Sequence, residues 1–455
     1  MEAQGVEKRV LFISYHYPPD SQIGAKRVAK LAKCLMENGW RVGVLTVKEK
    51  FCERIDRSYD VPGVDAYRTG MFENVRFAGT RLRGLLTRMK HVAWGGGSGK
   101  APVERECLTA REAPRPESTS SGRPHSWIKR FIFSMIWLPD DRQGWVPFGL
   151  RRFFGLLSTY RLAYSSSPPA STHLIPLFAS YLTRKFDWVA EFRDPWTTFP
   201  KPTWARTRLG DWLEEKWEAS VIARSARVVV VTEAMKRDLA GKYPAHADKI
   251  RVYSNGFDRG EFAPVRAPAS GKTTFVYAGQ FDYGRNPRTF LQALTELFDD
   301  GALARGKVQV VLMSNIDIGG ESVEEMVGKG RLADVVRLVG YVPYEQCVRE
   351  MAAADVLLLF SIRQPLQVPA KLYEYLALNK RILSVSTGGI TEELIDRTGS
   401  GINVKPDDIP GMKKAILKLV SGGGPHRNED EIERFDIKSI VRALSQDLAG
   451  LMKNL

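Results

Sequence analysis

Two polar segments of this sequence combine residue types that bind anions and sugar hydroxyls. Arg193 and Asp194 directly follow an apolar, strand-like run, and Lys371 and Glu374 lie three residues apart at the start of a helix-like run. A lysine near a helix N-terminus suits a phosphate, and a carboxylate three residues later can accept hydrogen bonds from two ribose hydroxyls. The Arg–Asp pair suits a substrate cleft at a strand end. A structural ion pair is the alternative for either couple.

Three further loops carry glycine, arginine or hydroxyl side chains between a predicted strand and a predicted helix. Gly24 and Ala25 lie where the first predicted helix begins, and Gly279 and Arg285 occupy the corresponding loop of a later unit. Glycine lets the backbone approach a ligand, and a helix N-terminus offers free N–H groups to an anion. Arg285 can hold a diphosphate by charge and paired hydrogen bonds. The hydroxyls of Ser165–Ser167 suit a phosphate or a sugar, or the capping of the next helix.

Strand-like and helix-like segments alternate almost throughout the chain and must position these loops. A predicted strand at 9–14, helix at 25–38 and strand at 41–47 form the first unit. A second unit begins near residue 260, with predicted strands at 273–278, 308–313, 336–339, 356–360 and 381–384. This alternation favours parallel sheets covered by helices, which bind ligands at the carboxyl ends of their strands. The predicted fold class is therefore α/β, with two units of similar kind.

Length and composition agree with a globular protein of more than one domain. With 455 residues, of which 44% are hydrophobic and 26% charged, the chain suits two or three domains. The predicted domains are residues 1–257 with a mobile insertion at about 76–137, residues 258–432, and a C-terminal helix at 433–455 that could pack back on the first domain. The four cysteines form no close pair and no zinc spacing, which favours a reducing cytoplasmic compartment. Neither a signal peptide nor a run of about 20 apolar residues is visible, so any membrane contact is expected at the surface.

Basic residues are concentrated in one part of the chain. The formal net charge is +15, and the stretch from Arg76 to Arg161 holds 16 Lys and Arg residues against 6 Asp and Glu. Within it, residues 126–137 mix Trp, Phe and Ile with Lys129 and Arg130, a combination typical of a helix that lies on anionic lipid. A core helix and a solubilising basic surface are the alternatives. Nucleic-acid binding is disfavoured because no recognised nucleic-acid motif accompanies the charge.

Several segments together resemble the family 4 retaining glycosyltransferases, which have the two-domain GT-B fold. The resemblance covers nearly the whole chain and rests on the order of its motifs. The matching pieces are Tyr17-Pro18-Pro19 with Gly24-Ala25, Ser254-Asn255-Gly256-Phe257-Asp258, Ala354–Leu358, Lys371–Ala377 and Thr387–Glu392. It implies two Rossmann-like domains facing each other across a cleft, the N-terminal one on the acceptor side and the C-terminal one binding the nucleotide-sugar.

The resemblance also implies a role for each candidate residue. Glu374 would bind the donor ribose, whereas Asp194 and Arg193 would stand on the acceptor side or contact the sugar. The remaining candidates would border the donor or lie at its phosphates or sugar: Gly24, Ala25, Gly279, Arg285, Lys371, Gly388 and Gly389. Among all of these, the catalytic candidates are Asp194, Arg193, Arg285 and Lys371.

The chemistry that the resemblance implies is transfer of a sugar, of hexosyl type, from a nucleotide diphosphate to a hydroxyl with retention at the anomeric carbon. Cationic side chains and helix N-termini would stabilise the departing diphosphate, which would itself take the acceptor's proton. The sequence contains no Asp-x-Asp motif, so we expect no bound metal and no other cofactor.

Three departures from the family pattern stand in this sequence. Leu366 occupies the position of the first glutamate in the family's paired-glutamate motif, whose second glutamate is Glu374. Gly279 is followed by Gln280 in place of arginine, and Arg285 replaces the usual lysine. The histidine found at the catalytic site of some members has no match, since Ser166, Ser167 and Arg193 stand in those regions.

Other classes of function stay open for this sequence. A GT-B sugar-nucleotide epimerase would isomerise a donor without an acceptor, and a degenerate transferase would act as the non-catalytic partner of a true one. An NAD enzyme is disfavoured because the glycine fingerprint for dinucleotides is absent. The expected partners are a nucleotide-sugar donor, a lipid-linked or glycan acceptor and an anionic membrane surface. We expect a cytoplasmic protein, peripheral at the inner face of the plasma membrane, in cell-envelope or polysaccharide synthesis.

Overall fold

The computed structural model describes residues 7–72, 137–198, 207–262, 271–281, 285–314, 322–340 and 342–452. The predicted insertion at about 76–137 and the predicted interfacial helix at 126–137 lie outside these residues, apart from Trp137. The described residues form two parallel sheets, each flanked by helices. Within them, no helix is long and apolar enough to cross a bilayer.

The first sheet belongs to the N-terminal half of the chain. Its strands are β1 (Arg9–Ile13), β2 (Arg41–Val47), β3 (Asp65–Thr69), β4 (Leu162–Ser167), β5 (Asp187–Phe192), β6 (Arg227–Val230) and β7 (Ile250–Val252). They lie in the order β3-β2-β1-β4-β5-β6-β7, and every pair is parallel. The helices of this half are α1 (Ile23–Glu37), α2 (Val146–Leu156), α3 (Ser171–Leu182), α4 (Arg208–Arg224) and α5 (Glu233–Lys242).

Burial on both faces explains the continuous apolar runs of this sheet. In β1, the side chains of residues 10–13 are completely buried, as expected for a central parallel strand covered by helices. Helix α1 buries Val28, Leu31 and Leu35 in the same core cluster. The helix ends before Gly39, whose positive φ of 79° is a left-handed conformation that glycine adopts without strain.

The second sheet belongs to the C-terminal half. Its strands are β8 (Thr273–Ala278), β9 (Val308–Met313), β10 (Val336–Val339), β11 (Val356–Ser361), β12 (Arg381–Ser386) and β13 (Gly401–Val404). Their order is β10-β9-β8-β11-β12-β13, again parallel throughout. The helices are α6 (Arg288–Asp299), α7 (Val323–Lys329), α8 (Tyr344–Ala353), α9 (Ala370–Ala377), α10 (Ile390–Thr398), α11 (Ile409–Val420) and α12 (Glu429–Glu433). The predicted α/β fold with two parallel units is confirmed.

The last helix, α13 (Ile437–Met452), packs on the N-terminal half. Its apolar face joins the core cluster of α1, and the indole nitrogen of Trp40 donates to the Ser445 hydroxyl at 2.8 Å. The chain therefore crosses between the halves twice. The crossings are hydrogen-bonded together, because the Phe257 N–H donates to the Phe435 carbonyl at 3.0 Å and the Ile437 N–H to the Phe257 carbonyl at 2.9 Å.

Candidate active site

The strand order places the candidate loops at a crevice in each sheet. Strand β1 lies beside β4, and the connections after these two strands run to opposite sides of the sheet; the connections after β8 and β11 do the same in the second sheet. Loops that diverge from such a point leave room for a ligand at the carboxyl ends of the strands. Gly24 and Ala25 follow β1, Arg193 and Asp194 follow β5, and Gly279 follows β8.

Gly24 and Arg193 lie in direct contact on the N-terminal side. A Cβ atom at Gly24 would overlap the Arg193 guanidinium, so only glycine leaves space for it, and Ala25 beside it is completely buried. The guanidinium donates to the carbonyl oxygens of Ser167 at 2.9 Å and Pro168 at 2.6 Å. Burial lowers the pKa of Arg193, and Glu191 partly opposes that shift. The structure thus brings two sequence candidates from different loops together.

Asp194 connects the two halves. Its Oδ1 atom accepts a hydrogen bond from the Gln367 side-chain amide, which belongs to the segment that precedes α9. Gln367 was not a sequence candidate, and its carbonyl oxygen also accepts the Thr391 hydroxyl at 3.0 Å. The acceptor-side candidate Asp194 therefore lies at the junction between the halves.

Lys371 and Glu374 form the polar centre of the C-terminal side. Helix α9 begins at Ala370, and the Lys371 ammonium lies 2.7 Å from Glu374 Oε2 and 3.8 Å from the Cys347 thiol. Burial alone would lower the pKa of Lys371, but Glu374 and Cys347 raise it above its ordinary value. Both side chains keep part of their surface exposed, so a ligand can reach them.

Gly388 and Gly389 form a tight turn that leads into α10. Their φ angles of 102° and 91° belong to the left-handed region, which side-chain-bearing residues rarely adopt. A Cβ atom at Gly389 would lie 2.6 Å from the backbone of Pro365, and the Ile390 N–H donates to the Pro365 carbonyl at 3.1 Å. The glycine turn therefore packs against the 365–369 segment, which leads to Lys371.

Gly279 and Arg285 lie on the same half, at the loop after β8. The Gly279 N–H donates to the Met313 carbonyl at 3.1 Å, and Arg285 lies three residues before α6. The described residues contain no group of three or more His, Cys, Asp or Glu side chains arranged to hold a metal.

Two family models match this chain. The model described as glycosyl transferases group 1 matches residues 272–422, and the model described as glycosyltransferase family 4 matches residues 112–261, so together they cover more than half of the chain. The chain belongs to the family 4, group 1 glycosyltransferases. The resemblance drawn from its motifs is thereby confirmed.

Known proteins similar to this family member agree with its fold. A D-inositol 3-phosphate glycosyltransferase of Kineococcus radiotolerans is 24% identical over 222 residues, which are 45% of this chain and 51% of that protein. The chain thus spans about half the length of this curated relative. Sucrose-phosphate synthase from Thermosynechococcus elongatus has a TM-score of 0.63 at 15% identity, covering 98% of this chain and 100% of its own. HepE of Anabaena, solved with UDP and glucose, has a TM-score of 0.59 at 12% identity, covering 97% and 100%. The fold is GT-B.

One expectation about this glycosyltransferase family member is wrong. Ser165–Ser167 do not form a loop that faces a ligand; they are the last three residues of β4 and are buried. The hydroxyls of Ser165 and Ser167 pair with the two ring nitrogens of His173 at 2.7 and 2.8 Å, and Ser166 donates to Glu191 at 2.6 Å. Burial lowers the pKa of His173 to about 3, so the imidazole is neutral and serves the core.

Sequence reasoning also missed a lysine of this site. Lys26 follows Gly24 and Ala25 on α1, and its ammonium lies over the rings of Tyr59 and Tyr344, at the junction with the C-terminal half. The available signal was a lysine two residues after Gly24, at the N-terminus of the predicted helix. Its importance depends on Tyr344, which is far away in the sequence.

Proposed function

We propose that this chain transfers a sugar from a nucleoside-diphosphate donor to a hydroxyl acceptor with retention at the anomeric carbon. The observation that carries the proposal is the Lys371–Glu374 pair at the start of α9, since the Lys371 ammonium lies 5.4 Å from the Tyr344 ring that also contacts Lys26 of the opposite half. A carboxylate and an ammonium at this spacing suit the hydroxyls of a ribose and the phosphate attached to it. The HepE neighbour, whose structure holds UDP and glucose, supports a nucleotide-sugar donor.

In the proposed reaction, the bond between the anomeric carbon and the diphosphate oxygen breaks, and its electron pair leaves with the diphosphate. The acceptor oxygen bonds to the same face of the carbon, and its proton passes to the leaving phosphate. Lys371 and Arg285 would stabilise the developing negative charge. Arg193, fixed by backbone carbonyls beside Gly24, and Asp194 would orient the sugar or the acceptor. The proposal includes no metal and no other cofactor.

Calorimetric titration with UDP-, GDP-, ADP- and dTDP-sugars tests the donor site. We expect the wild type to bind one nucleotide class and Glu374→Ala to lose that binding. The matched control is Glu345→Ala, because this carboxylate is 83% exposed and pairs only with Arg349 of its own helix in the described structure. Folded wild-type protein that binds none of the four would contradict the proposal.

A non-catalytic partner subunit is the second candidate, and Leu366 is the observation that favours it. The leucine stands where the family has a glutamate, and its side chain packs against the core of the N-terminal half. Nucleotide-sugar binding without transfer to any acceptor, and without isomerisation, would support this candidate. An isomerised sugar nucleotide formed without acceptor would instead identify an epimerase.

We further propose that the acceptor is lipid-linked or a glycan and that the protein meets it at the inner face of the plasma membrane. The support is the basic stretch from residue 76 to 161, together with the exposed side chains of Arg151, Arg152 and Phe154 on α2. Cationic and aromatic side chains together favour the surface of anionic lipid. Co-sedimentation with anionic and neutral vesicles at low salt tests this step. Equal recovery with both vesicle types would contradict it.

A further inference from the structure

A lysine of the N-terminal half lies over the rings of two tyrosines, one from each half. The Lys26 ammonium lies 4.3 Å from the centroid of the Tyr59 ring and 4.0 Å from that of Tyr344. Tyr59 ends a short helical turn after β2, whereas Tyr344 is the first residue of α8 in the C-terminal half. The two ring centroids are 5.4 Å apart. An ammonium over aromatic faces is attracted by the ring quadrupoles, so this arrangement fixes where the charge lies.

No anion among the described residues hydrogen-bonds to this ammonium. Among the described residues, the Lys26 side chain makes no hydrogen bond and no ion pair, although an ammonium carries three N–H donors. Burial lowers its pKa to about 8, and Glu374 opposes the shift more than any other group does. Glu374 is already bonded to Lys371 at 2.7 Å. A partly desolvated cation therefore lies close enough to the proposed ribose-binding carboxylate to interact with it electrostatically, and no described residue gives it a hydrogen-bond acceptor.

We propose that Lys26 is the residue through which the N-terminal half binds a phosphate of the nucleotide, an inference that rests on the donor site proposed above. A phosphate oxygen would supply the acceptor that the ammonium lacks and the negative charge that burial demands. The two tyrosine rings already fix the position of the Lys26 ammonium, so nucleotide binding does not have to order this side chain. The donor site is then shared by both halves, and the nucleotide is bound fully only when they are together.

Protonation of Lys26 gives this contact a signature that a purely structural role would lack. An anion bound beside the ammonium raises its pKa above the value of about 8 in the free protein, so nucleotide binding takes up a proton and weakens as pH rises through 8. The charged and titratable groups that face Lys26 are Glu374 and Lys371 from α9, Tyr344 from α8, Asp56 and Tyr59 from the loop after β2, and Lys30 from α1. Burial raises the pKa of both tyrosines, and Glu374 keeps the pKa of Lys371 raised, so these three groups keep their charge state near pH 8.

The test measures the affinities of UDP, GDP and ADP by calorimetry at pH 7.0 and pH 8.5. For the nucleotide that binds, we expect wild-type affinity to fall about fourfold between these values, as the protonated fraction of a group with a pKa near 8 does. Lys26→Met should bind about tenfold to a hundredfold more weakly at pH 7.0, with no fall at pH 8.5. Lys26→Arg should keep most of the affinity at both pH values, because a guanidinium does not titrate there.

Lys33→Met is the matched control, since Lys33 lies on the same helix with a 55% exposed side chain, 3.5 Å from Asp258. We expect wild-type affinity and wild-type pH dependence for it. Lys26→Met that binds as tightly as the wild type would overturn the inference and leave the proposed function standing. Should Lys26→Met fail to fold, a pH dependence in Lys26→Arg equal to that of the wild type would overturn it instead. A wild type that binds no nucleotide at pH 7.0 would overturn the proposed function itself.

Discussion

Replacing Arg27 by methionine should strongly destabilise the N-terminal half. Arg27 is 6% exposed, and its guanidinium donates twice to Glu191 Oε1, at 3.0 Å from Nε and 2.7 Å from Nη2. It also donates to the carbonyl oxygens of Tyr253 at 2.8 Å and Ser254 at 2.9 Å, and to Asn255 Oδ1 at 3.1 Å. One buried cation thus joins α1, β5 and the chain that crosses between the halves.

The expected loss in the free energy of unfolding is about 3 kcal/mol, the lower end of the range for removing one member of a buried ion pair. The lower end applies because Glu191 keeps the hydroxyl donors of Tyr164 at 2.8 Å and Ser166 at 2.6 Å, and Arg193 stays near it. In the wild type, burial raises the pKa of Glu191, but Arg27 brings it below its ordinary value. That contribution is present above the glutamate's unfolded pKa and is lost as pH falls.

Without Arg27, the sign of this pH dependence should reverse. Burial would then raise the pKa of Glu191 above its unfolded value, so the folded protein would take up a proton more readily than the unfolded chain. The difference in the free energy of unfolding between the wild type and Arg27→Met should therefore become smaller as pH is lowered from 7 to 5. Adding Glu191→Gln to Arg27→Met should recover part of the loss at pH 7, because no unpaired charge stays buried.

Urea unfolding followed by tryptophan fluorescence measures these changes in the intended half, because all ten tryptophans lie between residues 40 and 217. Arg41→Met is the control, since Arg41 and its partner Asp65 are 50% and 39% exposed, so water and salt screen their pair and its removal should change the free energy of unfolding far less. The reasoning is refuted if Arg27→Met costs no more than the control. It is equally refuted if the deficit grows as pH falls.

Three more substitutions or probes have defined outcomes. The Cys347 thiol lies 3.8 Å from the Lys371 ammonium, so a saturating nucleoside diphosphate should slow its labelling by a maleimide several-fold, as measured by peptide mass spectrometry. An unchanged labelling rate would mean that the nucleotide binds elsewhere. Gly24→Ala should displace the guanidinium beside it and weaken donor binding about tenfold in calorimetry, whereas Gly155→Ala, with open space around its Cβ, should not. Trp40→Phe should lower the free energy of unfolding by more than about 1 kcal/mol in urea, because it removes a hydrogen bond and leaves a cavity in the core; Ser445→Ala should add little to it, because it removes the same hydrogen bond.

The fold could be predicted from the sequence because parallel strands that are covered on both faces appear in the sequence as continuous apolar runs. Strand β1, with its four completely buried residues, and helix α1, with its apolar stripe, are examples. Strand β4 shows the limit of this reasoning, because its end is made of three serines that look like a polar loop. They stay in the strand because His173 and Glu191, which are 8 and 25 residues away, satisfy their hydroxyls. Only the tertiary structure brings such hydrogen-bond partners next to the serines.

The candidate site likewise contains contacts that the sequence predicts and contacts that depend on the tertiary structure. Lys371 and Glu374 lie one helical turn apart, so their pairing follows from spacing alone and could be predicted. The contact of Gln367 with Asp194 joins residues 173 positions apart, and that of Lys26 with Tyr344 depends equally on how the halves meet. No local pattern encodes either contact. Sequence reasoning therefore anticipated the Lys371–Glu374 contact within one half and missed the contacts that join the two halves.

Leu366 shows how the two kinds of information combine. Its side chain packs against the core of the N-terminal half, and its carbonyl oxygen accepts the Thr232 hydroxyl at 2.7 Å. A glutamate carboxylate here would have to leave water for an apolar surface, which is unfavourable. At this position the chain therefore has an apolar side chain that packs against the other half, where the family has a charged one. In the proposed function, the sugar end of the site then depends on the neighbouring pair of Gln367 and Asp194. Because these two side chains come from different halves, recognition of the sugar and association of the halves become one event.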